Sequence, residues 1–343
     1  MRTKISLLLT FVSLAVLAAA AFAPAAHYEV KQKYVLGGDG GWDYLTYDSA
    51  GKRLFISRGT HVMVVDPAKG TVVGDVPNTP GVHGIALAQD LGKGFISNGR
   101  ENSVTVFDLK TLKETARIKI EGENPDAIMY EPTTQRIFTF NGRSKNATVI
   151  DAAKGTVVGN IPLDGKPEFA AADGKGVVFV NIEDKNEITS IDAKKAAVIK
   201  SWPLTGCDEP SGLAMDQKNR RLFSGCGNKV MAVTNADTGK VVTTIPIGQG
   251  VDANAFDADN QLAFSSNGEG TLTVAHEESA DKYSVVENAT TQRGARTMAL
   301  NTDTHDALLV TAEIEEAPPA KEGERPRRTM KPGTFTLLVV GKK

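Results

Sequence analysis

The sequence predicts an all-β protein, a seven-bladed β-propeller whose ring is closed by the N-terminal strand joining the C-terminal blade. A strand-rich motif returns every 41 to 43 residues, and each copy supplies about four short β-branched runs between Gly, Asn, Asp or Pro. A β-sandwich also has short strands at even spacing, but it gives no reason for Phe, Asp and Gly to recur at the same place in every unit. The repeat therefore favours propeller blades.

The first three copies of the motif are the clearest. Each contains an apolar run with a Phe, a second run that ends in Asp, and a third run. They occupy 53–57, 62–66 and 70–77 in the first copy, 94–98, 104–108 and 112–120 in the second, and 136–141, 147–151 and 155–162 in the third. The strand-ending aspartates fall at positions 66, 108, 151 and 192. With the weaker later copies, seven blades account for nearly all of the chain after the first 26 residues.

Ring closure follows from the two ends of the repeat region. The last unit offers three strands, at 297–300, 307–312 and 335–340. A strand at 28–36 precedes the first repeat and can supply the missing fourth. Pairing the two ends completes the last blade and covers edges that would otherwise promote aggregation.

The N-terminus has the pattern of a secretory signal peptide. Arg2 and Lys4 precede an apolar run at 5–20, and small residues follow to position 26. The apolar run is short for a membrane span, although an uncleaved anchor is the alternative. We therefore expect a signal peptide at 1–26, a periplasmic or secreted location, and a single, monomeric propeller domain at 27–343.

The net charge argues against nucleic-acid binding. The formal net charge is −2, and removal of Arg2 and Lys4 would make it −4. A surface of this kind lacks the basic excess that attracts phosphates.

The two cysteines are expected to meet. Cys207 lies in the predicted connection from an outer to an inner strand, and Cys226 lies where a second strand meets the loop to the third. These loops share one face of a propeller, so a disulfide would close a loop of 19 residues, which is worth about 3 kcal/mol in the chain-entropy model. Free thiols, or a metal or redox pair, are the alternatives, but the spacing fits no zinc motif.

A ring of charged residues is predicted at one mouth of the central channel. The inner strands converge on the axis, so the residues that open them should face one another. In blade order these residues are Asp43, His83, Asp126, Glu168, Ser211, Asp252 and Arg296. The carboxylates Asp43, Asp126, Glu168 and Asp252 are candidate ligands for a divalent cation, or an acid and base pair around a small substrate.

Nearby loops add further candidates on the same face. The neighbour of Asp43 and the loops between second and third strands contribute Trp42, Arg58, Arg100, Asn141 and Arg143 as candidate binding residues. The alternative is a merely solvated mouth, since Asp or Asn beside Gly or Pro is ordinary turn chemistry.

One segment departs from the tight loops. Residues 313–333 interrupt the last blade between two of its strands, on the face of the charged ring, with an acidic half before a basic half. Its composition predicts a long loop without packed structure. Such a loop is either a lid or partner contact, or an inert mobile segment.

The repeat resembles a known family. The runs at 104–108 and 63–67 and the Gly-Thr-Val-Val-Gly segments at 70–74 and 155–159 look like the YVTN repeat of bacterial secreted propellers, the YncE-like family. The resemblance covers the chain from about residue 28 onward and implies an exported propeller. DNA binding is associated with one branch of that family. The wider fold group, which resembles WD40/YVTN repeat proteins, includes lactonases and a metal-dependent lyase with acidic and His residues at the channel mouth.

Three functions remain open. The first is an exported binding or scaffold protein that holds a protein, a glycan or a small polar ligand at the charged mouth. The second is a divalent-metal-dependent lactonase or lyase acting there, and the third is DNA binding, against which the charge argues. The sequence favours the first because none of its motifs demands chemistry.

Overall fold

The computed structural model describes residues 27–38, 40–317 and 327–343, so the signal peptide predicted at 1–26 lies outside the described residues. These residues form seven four-stranded antiparallel sheets and one two-stranded sheet. The seven larger sheets are the blades of a seven-bladed propeller, which confirms the predicted fold. No helix in the described ranges is long and apolar enough to cross a membrane.

Six of the blades are built from four consecutive strands, ordered from the axis outward. In blades 1 to 3 these are β2 Leu45–Asp48, β3 Arg53–Ser57, β4 Val62–Asp66 and β5 Thr71–Val76; β6 Val82–Ala88, β7 Lys93–Asn98, β8 Ser103–Asp108 and β9 Glu114–Lys119; and β10 Pro125–Glu131, β11 Arg136–Asn141, β12 Asn146–Asp151 and β13 Thr156–Pro162. In blades 4 to 6 they are β14 Pro167–Ala172, β15 Val177–Ile182, β16 Glu187–Asp192 and β17 Ala197–Pro203; β18 Pro210–Asp216, β19 Arg221–Cys226, β20 Val230–Asn235 and β21 Val241–Pro246; and β22 Val251–Asp257, β23 Leu262–Asn267, β24 Thr271–Ser279 and β25 Lys282–Thr290.

Blade 7 joins the two ends of the chain, as predicted. Its strands from the axis outward are β26 Met298–Asn301, β27 Asp306–Thr311, β30 Thr336–Lys342 and β1 Tyr28–Val35. β1 and β30 are antiparallel, with Tyr28 opposite Lys342 and Val35 opposite Thr336. Tyr28 is buried and meets Phe264 of blade 6 edge-on, with ring centroids 5.8 Å apart. The closing strand is therefore packed as well as hydrogen-bonded.

The segment predicted as a long loop at 313–333 contains a hairpin. Its arms pair as β28 Ile314–Ala317 and β29 Arg327–Met330. Composition alone misses these strands because they are short and carry mostly polar residues. Two single 3₁₀ turns, Gln89–Leu91 and Glu183–Lys185, complete the regular structure of the described residues.

The repeated residues of the motif have structural roles. One Phe from the second strand of each of blades 1 to 6 is almost fully buried between blades: Phe55, Phe95, Phe138, Phe179, Phe223 and Phe264. The strand-ending aspartates accept backbone N–H groups of the turn that follows, as Asp66 does from Ala68 and Lys69. The motif therefore repeats because successive blades use an aromatic residue for packing between blades and an Asp for the turn after the third strand.

The predicted disulfide is present. Cys207 and Cys226 are bonded, with Cα atoms 5.3 Å apart, and both are almost fully buried. The bond ties the connection before β18 to the end of β19 within blade 5.

Candidate binding site at the channel mouth

Irregular inner strands bring the ring residues to the mouth. In blades 2 to 6 the pairing between the inner and second strands shifts register near the first residues, for example between Val82 and Ile85 and between Pro125 and Ile128. Such bulges re-aim side chains at the end of a strand. The seven ring residues predicted from the sequence accordingly fall into three contacting groups.

The first group joins blades 1, 2 and 3. His83 Nδ1 donates a hydrogen bond to Asp43 Oδ2 at 2.7 Å and lies 3.6 Å from Asp126 Oδ1. One ligand atom from each residue falls within 4.8 Å of the others. Two carboxylate oxygens and an imidazole nitrogen at such spacing form a donor set suited to a divalent transition metal.

The second group lies in blade 4. Lys166 Nζ lies 2.5 Å from Glu168 Oε1 and also bonds to Glu183. The side chain of Glu168 is only 13% exposed. Lys166 thus supplies a positive charge at the mouth that was not among the sequence candidates.

The third group joins blades 5, 6 and 7. Arg296 Nη1 contacts Asp252 Oδ2 at 2.8 Å, and Ser211 Oγ donates to the other oxygen of Asp252 at 3.3 Å. Asp252 is mostly buried, whereas Arg296 is exposed. The ring therefore carries both signs of charge, with the carboxylates in the majority.

Burial and crowding raise the pKa values of the ring carboxyls. Burial is the main cause for Glu168, with a further contribution from the charge of Asp126, and its pKa rises to about 8. Burial also raises the pKa of Asp126 to about 6, against the opposing effect of His83. The pKa of Asp252 is raised by burial despite Arg296. These carboxyls hold protons more tightly than free ones, which is typical of sites that bind cations or transfer protons.

The pKa of His83 is also raised. Burial alone would lower it, but the hydrogen bond to Asp43 and the negative charge of Asp126 outweigh that effect. His83 therefore favours the protonated form and neutralises part of the carboxylate charge while no cation is bound.

An aromatic pair crosses the channel beneath the ring. Tyr44 and Phe169 follow ring residues in blades 1 and 4, and their rings stack with centroids 4.4 Å apart. The Tyr44 hydroxyl is buried and has no hydrogen-bond partner among the described residues. Burial, and then the charge of Asp126, raise the pKa of Tyr44 well above its ordinary value. The mouth is consequently a cup with an aromatic floor.

Buried polar residues of the second strands fix the inner strands beside the ring. Ser97 Oγ donates to the backbone oxygen of Asp126, and Asn181 Nδ2 donates to that of Ser211. Ser266 Oγ likewise donates to the backbone oxygen of Arg296. Each bond reaches from one blade into the next, so the ring is held by several blades together.

The remaining sequence candidates are divided between the mouth and the blade interiors. Trp42 packs on Phe335, with the two ring centroids 5.5 Å apart. It also lines a mouth cavity of about 390 Å³ together with Asp43, His83 and Arg100. Arg143 is exposed on the turn after β11.

Two of the predicted binding residues are fully buried instead. The Arg58 guanidinium lies over the Phe335 ring at 3.6 Å and donates to the backbone of Gly38. Asn141 donates to Asn146 and Thr148 within blade 3. Because these polar groups are engaged by their own or adjacent blades, neither side chain joins the charged ring.

The aromatic pair Tyr44 and Phe169 was not among the sequence candidates, but the sequence contains a signal for it. The residues that follow the ring positions are Tyr44, Gly84, Ala127, Phe169, Gly212, Ala253 and Thr297. Two large aromatic residues stand among five small ones, on blades three positions apart in the ring. An added Cβ at Gly84 or Gly212 would lie within 3 Å of the adjacent inner strand, so close approach of that strand requires glycine at these two positions.

The comparisons with known proteins support the fold more than any function. No protein-family model matches the chain. Antigen Lp49 of Leptospira interrogans serogroup Icterohaemorrhagiae serovar copenhageni is 24% identical over 184 residues, which is 51% of this chain but only 38% of that antigen. The chain is thus similar to part of a longer bacterial protein.

Solved structures of propellers superpose on most of the chain. The structure of U3-55K has a TM-score of 0.76 at 7% identity, covering 91% of this chain and all of that one. The WD40 repeats of RRP9 give 0.73 at 7% identity over 90% of this chain and 96% of that one. A chain of the mitotic checkpoint complex gives 0.73 at 14% identity over 89% and 95%. Likeness at such low identity shows the fold alone.

Proposed function

We propose that this chain is an exported β-propeller binding protein of the YVTN-repeat, YncE-like kind, which holds a small polar ligand in the cup at the channel mouth. One observation carries the proposal: carboxylates from blades 1, 3, 4 and 6 converge beside the stacked rings of Tyr44 and Phe169, and burial raises the pKa values of three of them. Keeping such groups close together is costly unless positive charge or hydrogen-bond donors compensate. A ligand that brings these, such as an amine or a polyhydroxylated compound, fits the cup.

A metal-dependent activity is the second candidate. It is favoured by the closeness of Asp43, His83 and Asp126, whose ligand atoms lie within 4.8 Å of one another. A cation held there would polarise a carbonyl oxygen of a lactone or a similar substrate. The charge of Asp126 contributes to the raised pKa values of Glu168 and Tyr44, and a raised pKa suits Glu168 to the role of a proton donor in such a reaction.

Thermal unfolding of the mature, EDTA-treated protein separates the two. Calcium, magnesium, manganese and zinc ions are added in turn, and then a panel of amines, amino sugars, sugars and lactones without metal. A cation at a hundred times its dissociation constant stabilises by about 2.7 kcal/mol, which raises the midpoint by several degrees. Stabilisation by an organic compound without metal supports the binding protein.

Matched variants locate the site. D126N should abolish stabilisation by either kind of ligand, whereas E121Q, which removes an exposed carboxylate that is not part of the ring, should leave it intact. If a cation still raises the unfolding midpoint of D126N, the metal site is not formed by Asp126 and its neighbours. If no compound on the panel stabilises the protein, with or without metal, the cup is not a ligand site and the proposed function fails.

A further inference from the structure

A second cavity lies beside the ring, between blades 6 and 7. It has a volume of about 670 Å³, within the range of small-molecule sites. Its walls combine polar, aliphatic and backbone groups, which belong to Gln292, Arg293, Arg296 and Glu313, to Ala312 and Ile314, and to Gly250, Gly268 and Gly294.

The charges around this cavity do not cancel. Arg296 is paired with Asp252, and Glu313, the carboxylate in the lining, is paired with Lys331 at 2.9 Å. Arg293 is exposed, and no carboxylate within the described ranges lies at ion-pair distance from it. One guanidinium therefore remains to pair with an anion from outside.

The glycine backbone explains why the cavity is open. Gly294 N donates to Gly268 O and Gly268 N donates to Gly250 O, both at 2.8 Å, so three glycines lie side by side along one wall. At the positions of blade 4 that correspond to Gly268 and Gly250, Glu183 N donates to Lys166 O, and the two side chains also bond to each other. The three glycines carry no side chain into the cavity between blades 6 and 7, and the cavity extends to Arg296 of the ring.

The lining also contains aliphatic residues. Ala312 is buried, and Ile314, the first residue of the β28–β29 hairpin, leaves half of its side chain exposed. An exposed aliphatic residue beside a guanidinium suits a ligand with an anionic head and an apolar body. The planar fork of arginine pairs best with a planar carboxylate, to which it can donate two parallel hydrogen bonds.

We propose that the cavity between blades 6 and 7 binds organic carboxylates, with the acid group at Arg293 and Arg296 and the apolar body against Ala312 and Ile314. The site shares Arg296 with the ring but takes ligands of the opposite charge. It does not require the cup to be occupied.

The test is calorimetric titration of the mature protein at low salt with acetate, butyrate, hexanoate and benzoate. Hexanamide and inorganic phosphate serve as probes without the carboxylate or without the apolar body. We expect saturable binding that tightens from acetate to hexanoate. R293Q should weaken it by about tenfold or more, because it removes the unpaired guanidinium. I314S should weaken hexanoate more than acetate.

Controls separate a site from general charge attraction. K113Q removes one positive charge from the opposite face of the propeller and should leave the affinity unchanged. R293Q is preferred to a change at Arg296 because Arg293 is exposed and its loss leaves no buried carboxylate unpaired. Absence of saturable carboxylate binding, equal affinity in R293Q, equal affinity for hexanamide, or tighter binding of phosphate than of hexanoate would each overturn the proposal.

Discussion

Tyr44 of blade 1 and Phe169 of blade 4 stack face to face at 4.4 Å, although three blade positions separate them around the ring. A contact between blades so far apart must cross the central axis. The pair therefore lies across the channel, and it places an aromatic surface near the charges of Asp126 and Glu168.

The first prediction concerns the two halves of the Tyr44 side chain. Y44A should lower the free energy of unfolding by about 3 kcal/mol, because it removes a packed ring and leaves a cavity in the channel. Y44F should change it by less than about 0.5 kcal/mol or stabilise the protein, since the buried hydroxyl has no partner among the described residues. Urea unfolding of both variants measures this. A large loss in Y44F would show that the hydroxyl is satisfied in solution.

The second prediction concerns pH. Glu168 has its pKa raised from 4.5 to about 8, mainly by burial. Between these values the folded state keeps a proton that the unfolded state releases, so stability falls as the pH rises through this window. We expect the free energy of unfolding to fall by about 2 to 4 kcal/mol between pH 4.5 and pH 8. The raised pKa values of Asp126 and His83 act in the same direction.

E168Q isolates the contribution of this one residue. It should remove much of the fall above pH 7, where Asp126 is largely ionised, and leave the contribution of His83. Urea unfolding at several pH values measures the slope. E121Q, which removes an exposed carboxylate, should keep the wild-type slope. Equal slopes in E168Q and the wild type would mean that Glu168 is ionised throughout this range.

The third prediction concerns the disulfide. Reduction, or the double change C207A/C226A, should lower the free energy of unfolding by about 3 kcal/mol, since the bond closes a loop between residues 19 positions apart. Denaturant unfolding with and without reductant measures the difference. Reductant should have no further effect on the double variant, and an effect of similar size there would point to another cause.

The fourth prediction concerns ring closure. Y28A should destabilise by about 3 kcal/mol, because Tyr28 is buried against Phe264 in the strand that completes blade 7. V35A, in the same strand, changes a residue that is 70% exposed and should cost less than about 0.5 kcal/mol. If Y28A unfolds like the wild type, β1 does not contribute to the stability of the ring.

The fold was predictable because the residues that recur in its repeat have fixed structural roles. Phe55 and Asp66 recur in later blades since every blade needs the same inter-blade packing and the same turn. The ring was predictable for a related reason, because the inner strands of a propeller converge on its axis whatever their pairing register with the second strands. Blade closure followed from counting strands.

The side-chain partners at the mouth were not predictable from the repeat. The contact between His83 and Asp43 depends on how adjacent inner strands bulge, and the repeat carries no such information. Arg58 and Asn141 have the polarity of surface residues, but buried partners at Phe335 and Thr148 place them inside the blades. The β28–β29 hairpin was missed because short polar strands have no periodicity to read.

The pairing of β1 with β30 also determines how the ring responds to force. The closing strands are antiparallel, and Tyr28 and Lys342 face each other at the end where both strands leave the blade. Tension applied through the two termini therefore loads the hydrogen bonds one pair at a time, in an unzipping geometry, and does not shear them together. Under such a load the ring would open first between β1 and β30. The other six blades, each made of consecutive strands, carry the force only after β1 has separated from β30.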